Sequence, residues 1–383
     1  SQVCKSAREN MVSTDKMPLA PHEFALMDML FSNSEAFLSR LQPGYETCRY
    51  VFFPGCQAGA IAPDVVTEAY EDLCRRTEGG VALMLGCCGA ISEWAGRYEM
   101  TEKVNEQLKK ELAKLGDPMI IAGCPSCMKQ LKESLGVRVT GIWEILKEIG
   151  LPGQAKGLEI PVAIHDACGA RGDAQTQDMI RQLLSDMGCI VEDTEYSRDL
   201  SPCCGYGGLT AYANKDMAAK MTEKCLERSD APYITYCMAC RDRFAREGRE
   251  SRHIMELLYG ANASNMPDIS EKRYNRLILK QTLLKNIWNE EPIMEKKDYT
   301  VAYTEEAIHM MDERMILKSD VERVLSDYRE NQEAIFDEET KELVTRSRLG
   351  NVTFWVRFVE TEEGYLVRRA YSHRMNIMKR VGQ

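Results

Sequence analysis

The chain has 383 residues, of which 44% are hydrophobic and 28% are charged, and its formal net charge is −10. This length predicts two or three domains rather than a single core. The longest apolar runs have the length of a strand, so no membrane span is predicted. The acidic charge argues against a nucleic-acid-binding surface, which needs a basic patch. Lys5, Arg8 and Glu9 interrupt any apolar segment near the start, so we expect no signal peptide and a cytoplasmic location.

Cysteine is the residue type that carries the most information. The chain has 15 cysteines, and all of them lie between Cys4 and Cys240. A disulfide framework is typical of short secreted chains, so metal or redox chemistry is the better interpretation for this long chain. The cysteine-free remainder after Cys240 predicts a separate domain.

Three apolar runs in the first part of the chain each lead into a cysteine motif. The runs and the cysteines that follow them are Tyr50–Phe53 with Cys56, Val81–Leu85 with Cys87 and Cys88, and Met119–Ala122 with Cys124 and Cys127. Amphipathic patterns at 65–73 and 104–115 predict helices between the runs. We therefore expect strands and helices to alternate in this region.

The same order of cysteines recurs further along the chain. The second set is Cys168, then Cys203 and Cys204 before Gly205, then Cys237 and Cys240. Apolar runs at 162–164 and 233–236 and helical patterns at 179–187 and 217–226 accompany it. Each gap has about the length of one βαβ crossover, roughly 30 residues. The sequence therefore predicts a duplicated α/β fold whose parallel sheets gather the cysteines at one edge.

Each repeat offers five thiols to one site. Adjacent cysteines point to opposite sides of an extended chain, so Gly89 and Gly205 are expected to let the backbone turn there. Five thiolates exceed the four of a closed zinc site or an ordinary cubane cluster, which favours an extended multi-iron cluster. Two alternatives remain open, a four-cysteine zinc knuckle and a thioredoxin-like dithiol at Cys124 and Cys127.

The other cysteines and one histidine need separate interpretations. Buried packing positions are expected for Cys48, Cys74, Cys189 and Cys225, while Cys4 is a weak candidate for a further ligand. His165 lies three residues before Cys168. It is either a structural residue at the end of a strand or a catalytic proton donor close to the second site.

The order and spacing of these cysteines resemble the CCG (cysteine-rich) domain family, whose best-understood member is the cysteine-rich subunit of heterodisulfide reductase. The resemblance covers roughly residues 49–262 and implies two repeats about a pseudo-twofold axis. It also implies two noncubane [4Fe-4S] clusters, one in each repeat. The implied ligands of the first are Cys56, Cys87, Cys88, Cys124 and Cys127, and those of the second are Cys168, Cys203, Cys204, Cys237 and Cys240.

The resemblance also bears on electron donors. Related iron–sulfur subunits usually carry ferredoxin motifs ahead of the CCG repeats, and this chain has no CxxCxxC run. Ferredoxin-type and flavin-containing subunits or domains are therefore the implied donors. The segment 21–57 looks like the junction in fused flavin and ferredoxin-type redox proteins, which suggests that the chain is the C-terminal portion of one.

The domain organisation follows from these patterns. We expect an N-terminal segment at 1–48, repeats at 49–157 and 158–262, a helical connecting arm at 263–298 and a small α+β domain at 299–383. Within that last domain, the sequence predicts a helix at 304–311, a capping box from Ser319 to Glu322 that opens a second helix, and a three-stranded meander. A cap or partner-docking role is expected for it. Residues 1–262 should then suffice to hold both sites.

Three functions compete at this point. The leading hypothesis is a disulfide reductase in which a small-molecule or protein disulfide lies between two clusters. The first alternative is an electron relay for the oxidation of an organic acid. The second is a zinc-bearing scaffold without catalytic activity.

Overall fold

The computed structural model describes residues 2–260, 266–291, 298–349 and 352–374. The predicted boundary at 262–263 therefore lies outside the described residues. The chain divides into two compact units, the first formed by Ser1–Pro267 with Lys272–Pro292 and the second by Asp268–Glu271 with Ile293–Gln383. Across the described ranges, every helix is too short or too polar to cross a bilayer.

The first repeat is a five-stranded sheet with helices. Two helices and an edge strand precede it, α1 (Gln2–Ser13), α2 (Glu23–Ser32) and β1 (Leu38–Arg40). The repeat itself comprises β2 (Tyr50–Phe53), α3 (Cys56–Ile61), α4 (Pro63–Arg76), β3 (Val81–Leu85), α5 (Ala90–Trp94), α6 (Tyr98–Lys114), β4 (Met119–Ala122), α7 (Pro125–Leu135), β5 (Val139–Gly141) and α8 (Ile142–Ile149). The strand order is β1-β3-β2-β4-β5, with only β1 antiparallel to its neighbour.

The second repeat has the same topology. It comprises β6 (Val162–His165), α9 (Ala174–Asp186), β7 (Val191–Asp193), α10 (Thr210–Ala213), α11 (Lys215–Leu226), β8 (Tyr233–Thr235), α12 (Met238–Arg246), β9 (Ser251–His253) and α13 (Ile254–Tyr259), with 3-10 turns at Cys168–Ala170, Arg198–Leu200 and Gly207–Leu209. All four strands are parallel, in the order β7-β6-β8-β9. In both repeats the spatial order is second, first, third and fourth strand, so the predicted duplicated α/β fold is confirmed.

Continuous apolar runs account for the central strands. Every residue of β2, β3 and β6 is buried, as expected of parallel strands covered by helices on both faces. Proline stands at the start of α4 and α7, where its missing N–H costs no intrahelical hydrogen bond. Helix α7 thus begins directly after Cys124.

The two repeats pack against each other through equivalent elements. Helix α7 of the first repeat contacts the 3-10 turn at Cys168–Ala170, and α12 of the second repeat contacts α3. The first of these contacts is so close that a Cβ atom at Gly169 would lie 2.6 Å from Ser126 Oγ. This reciprocity is the packing that an approximate twofold relation between the repeats requires.

A long helix beyond the second repeat, α14 (Ile269–Trp288), packs on the first repeat over most of its length. Its Leu279 and Leu283 are buried in the same hydrophobic core as β2 and β3. Asn275 Nδ2 donates a hydrogen bond to Ala60 O, and Trp288 Nε1 donates one to Leu41 O. The segment that the sequence assigns to a connecting arm thus contributes to the core of the first unit.

The second unit has a five-stranded sheet with two helices. Its elements are β10 (Thr300–Tyr303), α15 (Glu305–Arg314), α16 (Lys318–Asn331), β11 (Ile335–Asp337), β12 (Glu342–Leu349), β13 (Val352–Thr361) and β14 (Gly364–His373). The predicted antiparallel meander is present as β12-β13-β14, but β10 and β11 extend it on either side.

The predicted capping box in this unit is wrong. Helix α16 begins at Lys318, so Ser319 lies within its first turn. The N-cap residue is Leu317, two residues before the predicted Ser319, and the Asp320 carboxylate accepts the Leu317 N–H at 3.0 Å.

Candidate thiol-rich site

Most of the predicted cysteine motifs lie at the carboxyl ends of the parallel strands, while Cys203 and Cys204 follow the 3-10 turn at Arg198–Leu200. Cys56 follows β2, Cys87 follows β3, and Cys124 is the N-cap residue of α7 after β4. In the second repeat Cys168 follows β6, and Cys237 is the N-cap residue of α12. Because the strands are parallel, their carboxyl ends share one edge of each sheet, and the motifs meet there.

The paired cysteines turn as the sequence predicts. Gly89, at the N-cap of α5, has a left-handed backbone with φ of 86°, and Gly205 has φ of 93°. A side chain at Gly205 would also lie 2.5 Å from Ala218 O. Glycine is therefore needed at both positions for the two preceding thiols to reach one site.

The five thiols of the first repeat form one hydrogen-bonded series. Cys56 donates to Cys87, and Cys87 donates to Cys88. Cys127 is then within hydrogen-bonding reach of both Cys88 and Cys124. All five predicted residues of the first set are thus brought together.

The second repeat repeats this arrangement. Cys168 and Cys204 both donate to Cys203, and Cys240 is within hydrogen-bonding reach of Cys204 and Cys237. The predicted second set is therefore also brought together.

The two series meet at one pair of residues, because Cys237 donates a hydrogen bond to Cys124. These are the equivalent first cysteines of the two CxxC motifs. Ten thiols from both repeats thus form one continuous path across the interface between the repeats.

The thiols are too crowded for all of them to ionise. Hydrogen bonds from two neighbouring thiols lower the pKa of Cys88, Cys124 and Cys203. Hydrogen bonding to a neighbouring sulfur, together with burial, raises the pKa of Cys56 and Cys168. Ten thiolates at this spacing require positive charge among them, which metal ions supply.

The space beside the first set fits a metal centre. A cavity of about 60 Å³ is lined by all five of its cysteines and also by Cys237, and no charged side chain is among its described lining residues. At the second set, a Cβ atom at Gly207 would lie 3.1 Å from Cys203 Sγ and 3.6 Å from Cys168 Sγ. The absent side chain leaves room beside these two sulfurs.

The geometry also bears on the kind of metal centre. No three His, Cys, Asp or Glu side chains in the described ranges are arranged to hold one metal ion.

Two helices outside the family motif hold the loops of the first set. Asn33, which ends α2, accepts the Cys87 N–H at 2.7 Å and donates to Cys87 O at 3.1 Å. Arg276 of α14 donates from Nε to Cys56 O at 2.9 Å and from Nη1 to Asp28 at 2.7 Å. None of these three residues is predicted from the sequence, because nothing in their local sequence indicates a contact with a distant cysteine.

A buried carboxylate, also not predicted from the sequence, holds the loops of the second set. Asp166 is inaccessible to solvent and receives two hydrogen bonds from Arg181, at 3.0 and 2.8 Å. It also accepts from the Tyr236 hydroxyl at 2.9 Å and from Arg198 N at 2.6 Å, while its backbone oxygen accepts from Ser201. The segments before Cys168, Cys203 and Cys237 are joined through this one residue.

His165 is buried at the end of β6. Its ring meets Phe244 edge to face at 4.8 Å, and its Nε2 atom has no hydrogen-bond partner among the described residues. Burial lowers the pKa of the imidazole to about 4. The side chain is therefore uncharged at neutral pH.

The remaining cysteines occupy varied positions. Cys48, Cys189 and Cys225 are buried, Cys74 is half-buried, and Cys4 is exposed on α1. The Cys225 thiol donates to Cys203 O at 3.6 Å, so this residue supports the second set as well as filling the core.

The fold and the site define a duplicated α/β protein that brings two sets of five cysteines to one place. Residues 50–132 and 162–244 each match the family model of the cysteine-rich domain (CCG). The chain is 26% identical over 180 residues to an uncharacterized iron–sulfur protein of Methanocaldococcus jannaschii. That match covers 45% of this chain and 35% of the relative, so the chain spans about a third of the relative's length. No solved structure matches the chain.

Proposed function

We propose that this chain is an iron–sulfur oxidoreductase that cleaves a disulfide between two noncubane [4Fe-4S] clusters, like the cysteine-rich subunit of heterodisulfide reductase. The two hydrogen-bonded thiol series, one in each repeat, are the proposed ligand sets. The similarity to a protein named as an iron–sulfur protein supports the class of cofactor. The completeness of both sets supports two clusters rather than one.

The contact between Cys124 and Cys237 carries the proposal. Cleavage of a disulfide takes two electrons, and each cluster, when bound, supplies one of them. Two sites that touch through equivalent cysteines are close enough to serve the two sulfurs of one substrate. A simple relay needs no such pairing of like sites.

The residues around the first set would keep water away from the reaction. Trp94, Tyr206 and Met238 line its cavity, and Tyr206 and Met238 come from the second repeat. Exclusion of water strengthens the interactions of charged groups within a site. The second repeat thus helps to enclose the first site.

His165 remains the proposed proton donor near the second cluster. At neutral pH the imidazole of His165 is uncharged. It would therefore release the proton from one ring nitrogen only as the other ring nitrogen accepts a proton. Each exchange delivers one proton, so the two product thiolates would need two such exchanges.

The proposed partners are a disulfide substrate, either a small molecule or a protein, and electron donors of the ferredoxin and flavin types. The relative is nearly three times as long as the matched segment, which leaves room in proteins of this kind for donor domains. We place the reaction in the cytoplasm.

The first experiment is metal analysis after purification without oxygen, followed by a disulfide screen with a reduced viologen as donor. We expect about eight irons per chain, since each set holds four, and turnover of at least one disulfide. Stoichiometric zinc with little iron would favour the scaffold instead. Full iron content without turnover of any disulfide would favour the electron relay.

A further inference from the structure

The two sites have equivalent ligands but unequal surroundings. Arg276 is 4% exposed and belongs to neither repeat, because α14 supplies it. Its Nε atom donates to Cys56 O, and its Nη1 atom, on the other side of the guanidinium, contacts the Asp28 carboxylate. A buried cation therefore lies directly beside the first ligand of the first set.

The equivalent position in the second repeat is built differently. There the Cys168 oxygen accepts the backbone N–H of Arg171 at 3.4 Å. The Arg171 guanidinium instead donates to Ser201 O. In the described part of the chain, no guanidinium is hydrogen-bonded to Cys168. Arg241, a buried arginine that follows Cys240, is paired with Glu256 instead, so Cys56 has a guanidinium contact that Cys168 does not share.

We propose that Arg276 raises the reduction potential of the cluster bound at Cys56 above that of its partner. This inference rests on the proposed function. A ferredoxin-type donor would then lose one electron to the first-repeat cluster before the second-repeat cluster is reduced. No bond at the protein forms or breaks in this step.

The sign follows from electrostatics. Reduction adds negative charge to the cluster, and a nearby cation stabilises that charge, the more so in a buried site of low dielectric constant. Asp28 opposes this effect. The guanidinium is hydrogen-bonded to the peptide of Cys56 and the Asp28 carboxylate is not, so the cation has the larger effect on this site.

The test is a redox titration followed by paramagnetic resonance on the whole chain. The two signals are assigned with the variants Cys87→Ser plus Cys88→Ser and Cys203→Ser plus Cys204→Ser. Arg276→Gln is expected to shift the first-repeat signal to lower potential, and Asp28→Asn to shift it to higher potential. The second-repeat signal should stay in place in both variants.

Opposite shifts in reduction potential distinguish an electrostatic effect from structural disruption. Loosening of the structure would shift the potential in the same direction in both variants. Arg276→Lys keeps the charge and should restore most of the parent potential. Lys280→Gln removes a positive charge on the same helix, where the lysine contacts Glu35 O, and serves as the matched control.

Shifts of the same sign, equal shifts at both clusters, or no shift would overturn the inference while leaving the proposed function intact. A chain that binds no iron would overturn the proposed function itself. If Arg276→Gln does not fold, the shift in Asp28→Asn still decides the sign.

Discussion

The side-chain amide of Asn33 binds both polar groups of the Cys87 backbone. Its oxygen accepts the Cys87 N–H at 2.7 Å, and its nitrogen donates to the Cys87 carbonyl oxygen at 3.1 Å. The two residues are 54 positions apart in the chain. This clamp fixes the backbone of the first CCG motif from outside the repeat. The Asn33 amide thus pairs with the N–H and the carbonyl oxygen of Cys87, as the backbone of a neighbouring strand would.

Asn33→Ala is expected to destabilise the first site. The change leaves a buried N–H and a buried oxygen without partners, at a cost of about 2 to 4 kcal/mol. We expect a lower melting temperature and loss of iron from the first set. Asn33→Asp keeps the acceptor of the Cys87 N–H and should lose less stability and less iron than Asn33→Ala. Asn10→Ala, at an exposed helix position, is the control, and an equal loss there would contradict the account.

Asp166→Ala is expected to destabilise the second repeat strongly. Removal of one partner of a buried ion pair typically costs about 3 to 5 kcal/mol, and Asp166 also bonds Tyr236 and the Arg198 N–H. The matched control is Asp178→Ala, which removes an exposed ion pair with Arg198 that is worth about 0 to 1 kcal/mol. Chemical denaturation measures both, and equal effects would show that the buried network has no special role.

The sequence predicts that residues 1–262 suffice to hold both sites. The contacts of α14 with the first repeat indicate that a longer chain is needed. A chain that ends after residue 262 lacks Arg276 and the buried residues Leu279 and Leu283. We expect it to lose iron from the first set, whereas a chain that ends after residue 291 should keep about eight irons. Iron analysis of the two truncated chains decides between them. Equal iron content would mean that α14 only covers the repeat.

His165→Ala is expected to slow disulfide turnover without loss of iron. Because burial holds the pKa of His165 at about 4, the imidazole is neutral between about pH 6 and pH 8. The ratio of variant to parent rate should therefore stay constant over that range. Unchanged turnover would return His165 to a structural role, and a ratio that changes near pH 6.5 would contradict its burial.

The sequence predicts the parts of the fold that have a local signal. Apolar runs before the cysteines predict β2, β3, β4, β6 and β8, because buried parallel strands need continuous apolar sequence. The fourth strand of each repeat was missed. β5 and β9 have three residues each, and Ser251 and Arg252 give β9 no apolar run.

The cysteines of the site could also be predicted from the sequence, because their order repeats. The residues that hold their loops in place could not be predicted. Asn33, Arg276 and Asp166 act through contacts with residues 54, 220 and 70 positions away, and local patterns carry no information about such pairs. The contact of Cys124 with Cys237 likewise depends on how the two repeats pack.

The central claim is that both sites act on one disulfide. The most direct test is the variant Cys203→Ser plus Cys204→Ser, with the equivalent change at Cys87 and Cys88 as its counterpart. In each variant we expect about four irons, one reducible cluster signal and no disulfide cleavage. Disulfide reduction at near the parent rate by a chain shown to hold one cluster would contradict the account.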